Sequence, residues 1–188
     1  MAFKSRKAEA INNLLAAEKV GDLDLELKPL LYAINSLPEY YTTSSCGGRM
    51  VLMQDLGRKG LDNFLGKWHG RISQEEVLSA LKPCKGVVWL RYESPILHIM
   101  ARSLKAAGWM LQIARESGFK RSGIQSLKDE RILIEVLSTE RVDSPVMDNG
   151  RILVSDEYIA YLVGEANSKY GAGGKKLRRL HERILSKD

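Results

Sequence analysis

The chain has 188 residues, 44% of them hydrophobic and 28% charged, with a formal net charge of +6, which suits one globular domain with a real core. No apolar run is long enough to cross a bilayer, and the basic N-terminus lacks the apolar segment of a secretion signal. Two cysteines, Cys46 and Cys84, found neither a disulfide framework nor a zinc site, so a cytoplasmic chain with reduced thiols is expected.

In chain order, residues 3–19 read as a helix with Ile11, Leu14 and Leu15 on one face. A second helix is predicted over 29–37, with Pro29 in its first turn and Pro38 as its stop. Strands 39–44 and 50–54 flank a glycine turn and read as a hairpin. Residues 55–70, with Gly57, Gly60, Gly66 and Gly70, read as a loop that holds Trp68 and His69. A helix over 74–82 starts on a capping box, Ser73 with Glu76.

Strands 87–91 and 96–100 follow, joined by Tyr92-Glu93-Ser94-Pro95. Helix 104–117 is capped by Ser103 and closed by Gly118, with Leu104, Ala107, Leu111 and Ala114 turned inward. Strands 119–125 and 131–138 form another hairpin, and a weak strand is expected over 151–154. Ser155 caps a helix to about 167, Gly171-Ala172-Gly173-Gly174 reads as a hinge, and a last amphipathic helix spans 173–187. Hairpins dominate, so the expected class is α+β with a mixed, largely antiparallel sheet and flanking helices. Helix, strand and strand recur around Thr42–Gln54 and Phe119–Leu137, which hints at an internal duplication.

The charge is unevenly placed. Residues 169–188 hold seven lysines and arginines against Glu182 and Asp188, which leaves +5 of the +6 in the last twenty residues. Such a tail suits a nucleic-acid partner, or simply a solvated helix face. No glycine fingerprint of a dinucleotide site, no phosphate loop, no nucleophile elbow and no zinc signature occurs. An ordinary Rossmann site is therefore unsupported, and no metal is expected.

The densest functional stretch is Ser44-Ser45-Cys46-Gly47-Gly48-Arg49. Glycines let backbone approach a ligand closely, and the hydroxyls with Arg49 suit an anionic or carboxylate-bearing one. A plain turn with a buried cysteine is the other reading. His98 sits in an apolar strand on the face opposite Leu97 and Ile99, where it is a core histidine or a proton carrier. Trp68-His69 is a base-stacking candidate or a packed lid, and Glu93 is a partner for either histidine or plain surface. The turn Arg121-Ser122-Gly123 repeats the Ser/Gly/Arg composition. Cys46 as a nucleophile would need an activating base or cation, and a structural role is the commoner one.

Four blocks together resemble the tRNA wybutosine-synthesizing protein 3 family. Thr42–Arg49 is similar to its S-x-S-S-C-x-G-R signature, with Thr42 in place of the first serine. Tyr92–His98, Ser117–Ile124 and the Tyr158–Lys169 helix resemble three further family blocks, in the family's order, and the likeness covers about residues 3–185. The resemblance implies a non-Rossmann methyltransferase that uses S-adenosylmethionine. It implies methylation of ring nitrogen 4 of the tricyclic wyosine-type base, 3′ of the anticodon of tRNA-Phe. On that reading His98, Ser45 and Arg49 are the catalytic candidates. Ser44, Ser45, Cys46, Gly47, Gly48, Arg49 and Trp68 would hold the cofactor. Trp68, His69, Glu93, Ser122, Lys175, Lys176, Arg178 and Arg179, with Lys4, Arg6 and Lys7, would meet the anticodon stem-loop. The alternatives are a non-catalytic RNA-binding module and a thiol enzyme built on Cys46.

Overall fold

The structure, a computed structural model, describes residues 2–57, 63–128 and 131–186. The elements run α1 (Ala2–Lys19), α2 (Lys28–Ser36), β1 (Tyr40–Cys46), β2 (Arg49–Asp55), β3 (Asn63–Trp68), α3 (Gln74–Ala80), β4 (Val87–Glu93) and β5 (Ile96–Ala101). Then come α4 (Leu104–Glu116), β6 (Gly123–Lys128), β7 (Arg131–Leu137), β8 (Val142–Asp148), β9 (Arg151–Ile152) and α5 (Asp156–Leu185). Local signals set several boundaries. Ser73 and Glu76 form the reciprocal capping box at α3, Ser103 caps α4, and Ser155 Oγ accepts from Tyr158 N at the start of α5.

The strands form two antiparallel sheets, β1-β5-β7-β6 and β3-β2-β4-β8-β9, so the α+β class with non-Rossmann topology holds. The chain divides into two compact units. The first combines Met1–Gly47, Pro95–Thr139 and Gly174–Asp188; the second combines Gly48–Ser94 and Glu140–Gly173.

In the first unit β5 buries Leu97, Ile99 and Ala101 and β7 buries Ile132, Ile134 and Val136, the alternation of strands with one covered face. Leu31 and Ile34 of α2, Met110 and Ala114 of α4, and Leu180 and Ile184 of α5 close that core. Each fully buried side chain of this size contributes roughly 1.5–3 kcal/mol. In the second unit Met50, Leu52, Val88, Leu90 and Tyr92 pack with Val146, Met147, Ile159, Leu162 and Ala166. Among the described residues no helix is long and apolar enough to cross a membrane.

Several sequence expectations change here. The strands either side of Gly47-Gly48 do not pair with each other: β1 pairs with β5, and β2 with β3 and β4. The two glycines mark the passage from one unit to the other. Gly48, at φ 100°, adopts a backbone that side chains with a Cβ rarely take. The expected recurrence therefore stops at element order, since β6 and β7 do form a hairpin while β1 and β2 lie in different sheets. For the same reason β4 and β5 are not a hairpin.

Most of the stretch expected as a loop after residue 62 is strand β3, bonded to β2. Gly66 is there because the Trp68 ring lies over it: a Cβ would stand 2.0 Å from the indole. Gly60 lies outside the described residues. Leu104, expected inward, is 59% exposed. The sequence reading missed β8 because Pro145 argues against a strand; a register shift beside Trp89 accommodates it. The expected hinge at 171–174 is the middle of α5, which runs unbroken from Asp156 to Leu185. Glycine costs about 1 kcal/mol per helical position, and burial of Ile159, Leu162 and Ala166 on one side and Leu177, Leu180 and Ile184 on the other outweighs it. Lys187 of the expected last helix lies outside the described residues.

Candidate functional site

In the first unit, the strand period that buries Leu97 and Ile99 turns His98 to the other face of the sheet. A bulge in β1 then matters. Thr42 is opposite Ile99 and Ser45 is opposite Leu97, so Thr43 and Ser44 share the position facing His98. Ser44 Oγ lies 2.6 Å from His98 Nδ1, and Thr43 Oγ1 donates to the His98 carbonyl at 3.5 Å. On the far side His98 is in register with Glu135 of β7, its Nε2 3.2 Å from Glu135 Oε2. A second bulge, in β6, accompanies Gln125, whose Nε2 donates to Glu135 Oε1 at 2.8 Å. A carboxylate only accepts, so these partners put a proton on Nε2, and in the neutral ring Nδ1 then accepts from the Ser44 hydroxyl.

Ser44 also lines a cavity of about 530 Å³ bounded by Asn13 and Leu14 of α1, Asp22, Leu23, Leu31 of α2, and Thr43 and Ser45. Among the described residues the buried Ser45 hydroxyl has no hydrogen-bond partner. Such a group costs about 1–3 kcal/mol unless something pairs with it. Ser44 and Ser45 both line this cavity. The glycine next to them serves a different purpose. Gly47 N donates to Asp24 Oδ2 at 3.0 Å, and a Cβ on Gly47 would stand 2.4 Å from that oxygen. The close approach at Gly47 is made by the chain's own Asp24. Cys46 and Cys84 are half-buried and form no disulfide.

The second unit holds the rest of the expected cluster. Arg49 stands opposite Glu93 in the β2–β4 register, donates to its carboxylate through Nε at 2.5 Å, and has its guanidinium 5.7 Å from the Phe64 ring centre. Glu93 is therefore an arginine partner. Beside this pair, Arg91 is ion-paired with Asp143, Nε to Oδ1 3.0 Å, and lies 5.2 Å from the Trp89 ring centre. Trp68 ends β3 and packs against the second unit's core, and His69 is exposed just beyond it.

The basic end of α5 presents exposed Lys175, Arg178 and Arg179. Lys176 is half-buried and donates to Ser138 Oγ at 3.1 Å. Arg179 and Lys176 pack on Gly118, where a Cβ would lie 3.2 Å from each. Ser122 is 4% exposed; its hydroxyl donates to Phe119 O and accepts from Leu137 N, which ties a turn together. Lys7 donates to the Leu37 carbonyl, and burial lowers its pKa from the usual lysine value. Lys4 is exposed on α1. Among the described residues no three His, Cys, Asp or Glu side chains converge as metal ligands.

The sequence reading missed Glu135, Gln125, Asp22 and Asn13. For Glu135 a signal existed, a lone acid within Arg131-Ile132-Leu133-Ile134-Glu135-Val136-Leu137, but nothing local linked it to His98.

The model of the family described as Methyltransferase TYW3 matches residues 5–186. A Pyrococcus abyssi relative, named tRNA(Phe) 7-((3-amino-3-carboxypropyl)-4-demethylwyosine(37)-N(4))-methyltransferase 1, is 43% identical over 185 residues, 97% of this chain and 95% of its own. A Methanocaldococcus jannaschii relative named as a methyltransferase of the same kind is 38% identical, with 98% and 97% covered. The solved structure of a Pyrococcus horikoshii protein superposes with a TM-score of 0.92 at 39% identity, covering 97% of this chain and 95% of that one. With the family model spanning nearly the whole chain, and with near-complete relatives in both sequence and structure, this chain belongs to the Methyltransferase TYW3 family.

Proposed function

We propose that this chain, residues 1–188 acting as one methyltransferase domain, transfers a methyl group from S-adenosylmethionine to ring nitrogen 4 of the tricyclic wyosine-type base next to the anticodon of tRNA-Phe. The names of its full-length relatives support the reaction. The observation that carries it in this chain is the Ser44–His98 hydrogen bond of 2.6 Å on the wall of a cavity.

The cavity's chemistry fits the methyl donor. Leu14, Leu23 and Leu31 offer apolar walls for a purine, Asp22 suits an ammonium or a ribose diol, and Asn13 with the hydroxyls of Thr43, Ser44 and Ser45 suits a carboxylate. S-adenosylmethionine, when bound, supplies an electrophilic methyl group on a positively charged sulfur. The chain's own residues supply positioning, exclusion of water and removal of the acceptor's proton. Ser44 and His98 take that proton. Arg49, with Glu93 holding its Nε, meets a phosphate of the RNA. Trp68 and His69 lie against bases, and Lys175, Arg178 and Arg179 hold the anticodon stem-loop by its backbone. Cys46 is a structural thiol. The reaction belongs in the cytoplasm, where such tRNA is processed.

The test is transfer of labelled methyl to precursor tRNA-Phe, with His98→Ala and Ser45→Ala beside the wild type, and calorimetric titration of each with S-adenosylmethionine. Ser45→Ala is expected to weaken donor binding severalfold, and His98→Ala to leave it intact while slowing transfer about a hundredfold. RNA binding without donor binding by the wild type would replace this reading with the non-catalytic RNA module.

A further inference from the structure

The row of side chains across the first unit's sheet extends beyond any residue the sequence reading singled out. We propose that Glu135 and Gln125 are positioning residues for proton removal. Glu135 holds the His98 ring with its proton on Nε2, Gln125 holds Glu135, and Ser44 is the hydroxyl through which the acceptor nitrogen's proton reaches His98. This rests on the methyl-transfer reading of the same site.

Five observations support it. The row takes one side chain from each of the four strands, Ser44, His98, Glu135 and Gln125, and each neighbouring pair is hydrogen-bonded. β1 bulges at this row, and β6 bulges at Gln125, next to the regular Gly123–Glu135 pair; bulges re-aim a side chain at the expense of regular pairing. Glu135 is an acid whose side chain is only 20% exposed, between strand neighbours Ile134 and Val136 that belong to the core. Both its oxygens are engaged, one by His98 and one by Gln125, so the carboxylate can neither rotate nor offer a donor to the imidazole. Finally, the Ser44 end of the row is on the cavity wall.

The step balances. The ring nitrogen forms a bond to the methyl carbon as the carbon–sulfur bond breaks, and the sulfonium becomes a neutral thioether. The nitrogen's proton passes to Ser44 Oγ while the Ser44 proton passes to His98 Nδ1. The resulting imidazolium keeps its Nε2–H on the Glu135 carboxylate, which stabilises the positive charge.

Two measurements on the full-length chain test this. The first is the two-bond nitrogen–proton spectrum of chain labelled in its three histidines, with His98→Ala identifying the signal. The wild-type ring is expected as the Nε2–H form, and Glu135→Gln is expected to shift it toward Nδ1–H. A wild-type Nδ1–H ring, or no change in Glu135→Gln, overturns the proposal. The second is single-turnover methyl transfer. Glu135→Gln is expected to lower the rate about a hundredfold with KM for donor and tRNA within about twofold, Gln125→Ala less, and Glu135→Asp to recover part of the loss. Ser44→Ala combined with Glu135→Gln is expected to be no slower than the worse single variant, as for residues acting as a unit. A Glu135→Gln rate equal to wild type, or fully multiplicative losses, overturns the proposal. Absence of transfer by the wild type would sink the methyl-transfer reading instead, and the spectrum would still decide what Glu135 does to His98.

Discussion

Replacing Asn35 by alanine should damage both stability and the position of Ser44. Asn35, on α2, is 7% exposed. Its Nδ2 donates to Leu31 O at 2.8 Å and to Thr42 Oγ1 at 2.7 Å, and its Oδ1 accepts from Thr42 N at 3.1 Å. It therefore replaces the neighbour that an edge strand lacks, at the residue where the β1 bulge begins. Without it the buried Thr42 N–H is orphaned, at about 1–3 kcal/mol, and the lost bonds from Nδ2 add about 1 kcal/mol. A total of roughly 2–4 kcal/mol corresponds to a fall in Tm of about 5–15 °C for a chain of this size. Calorimetry reads the loss, and hydrogen exchange at the Thr42 amide locates it. A melting temperature within about 1 °C of wild type, with Thr42 protection unchanged, would refute the reasoning.

Gly47→Ala forces Asp24 off the Gly47 amide, because its Cβ would stand 2.4 Å from Asp24 Oδ2; a loss of about 1–3 kcal/mol is expected in urea unfolding. Adding Gly47→Ala to Asp24→Ala should then lose little more than Asp24→Ala alone, and full additivity would contradict the account. The Tyr40 hydroxyl donates to Ala106 O at 2.8 Å, and burial raises its pKa above the usual phenol value. The folded chain keeps a proton that the unfolded chain releases, so this contribution is complete below the ordinary phenol titration and declines as pH rises beyond it. Tyr40→Phe should remove that alkaline decline from a series of melting curves, and an unchanged decline would reject it. Lys175→Ala with Arg178→Ala and Arg179→Ala should flatten the salt dependence of anticodon stem-loop binding by about 2 in the log–log slope. An identical slope would place the RNA elsewhere.

What the amino-acid order determined by itself is local. The caps at Ser73, Ser103 and Ser155, the apolar faces of α2 and α4, the β6–β7 hairpin (its first strand Gly123–Lys128 where 119–125 was expected), the basic helix end and the outward turn of His98 all follow from side chains within a few residues of one another. Each rests on helix or strand period or on a short-range hydrogen bond. Tertiary structure decided the rest. Gly47-Gly48 looked like a hairpin turn because a Gly-Gly pair permits one, but strand partners are chosen by burial over the whole chain, and β1 found β5. Gly171–Gly174 looked like a hinge because glycine weakens an isolated helix, whereas packing at both ends keeps α5 continuous. The candidate site shows the same division. Ser44 and His98 were legible as residues but not as a pair, since 54 positions separate them. Glu135, 37 positions from His98, was legible as a lone acid in an apolar strand but not as a partner of His98. Strand register and the β1 bulge align them, and register depends on contacts far apart in the chain that no local window of sequence contains.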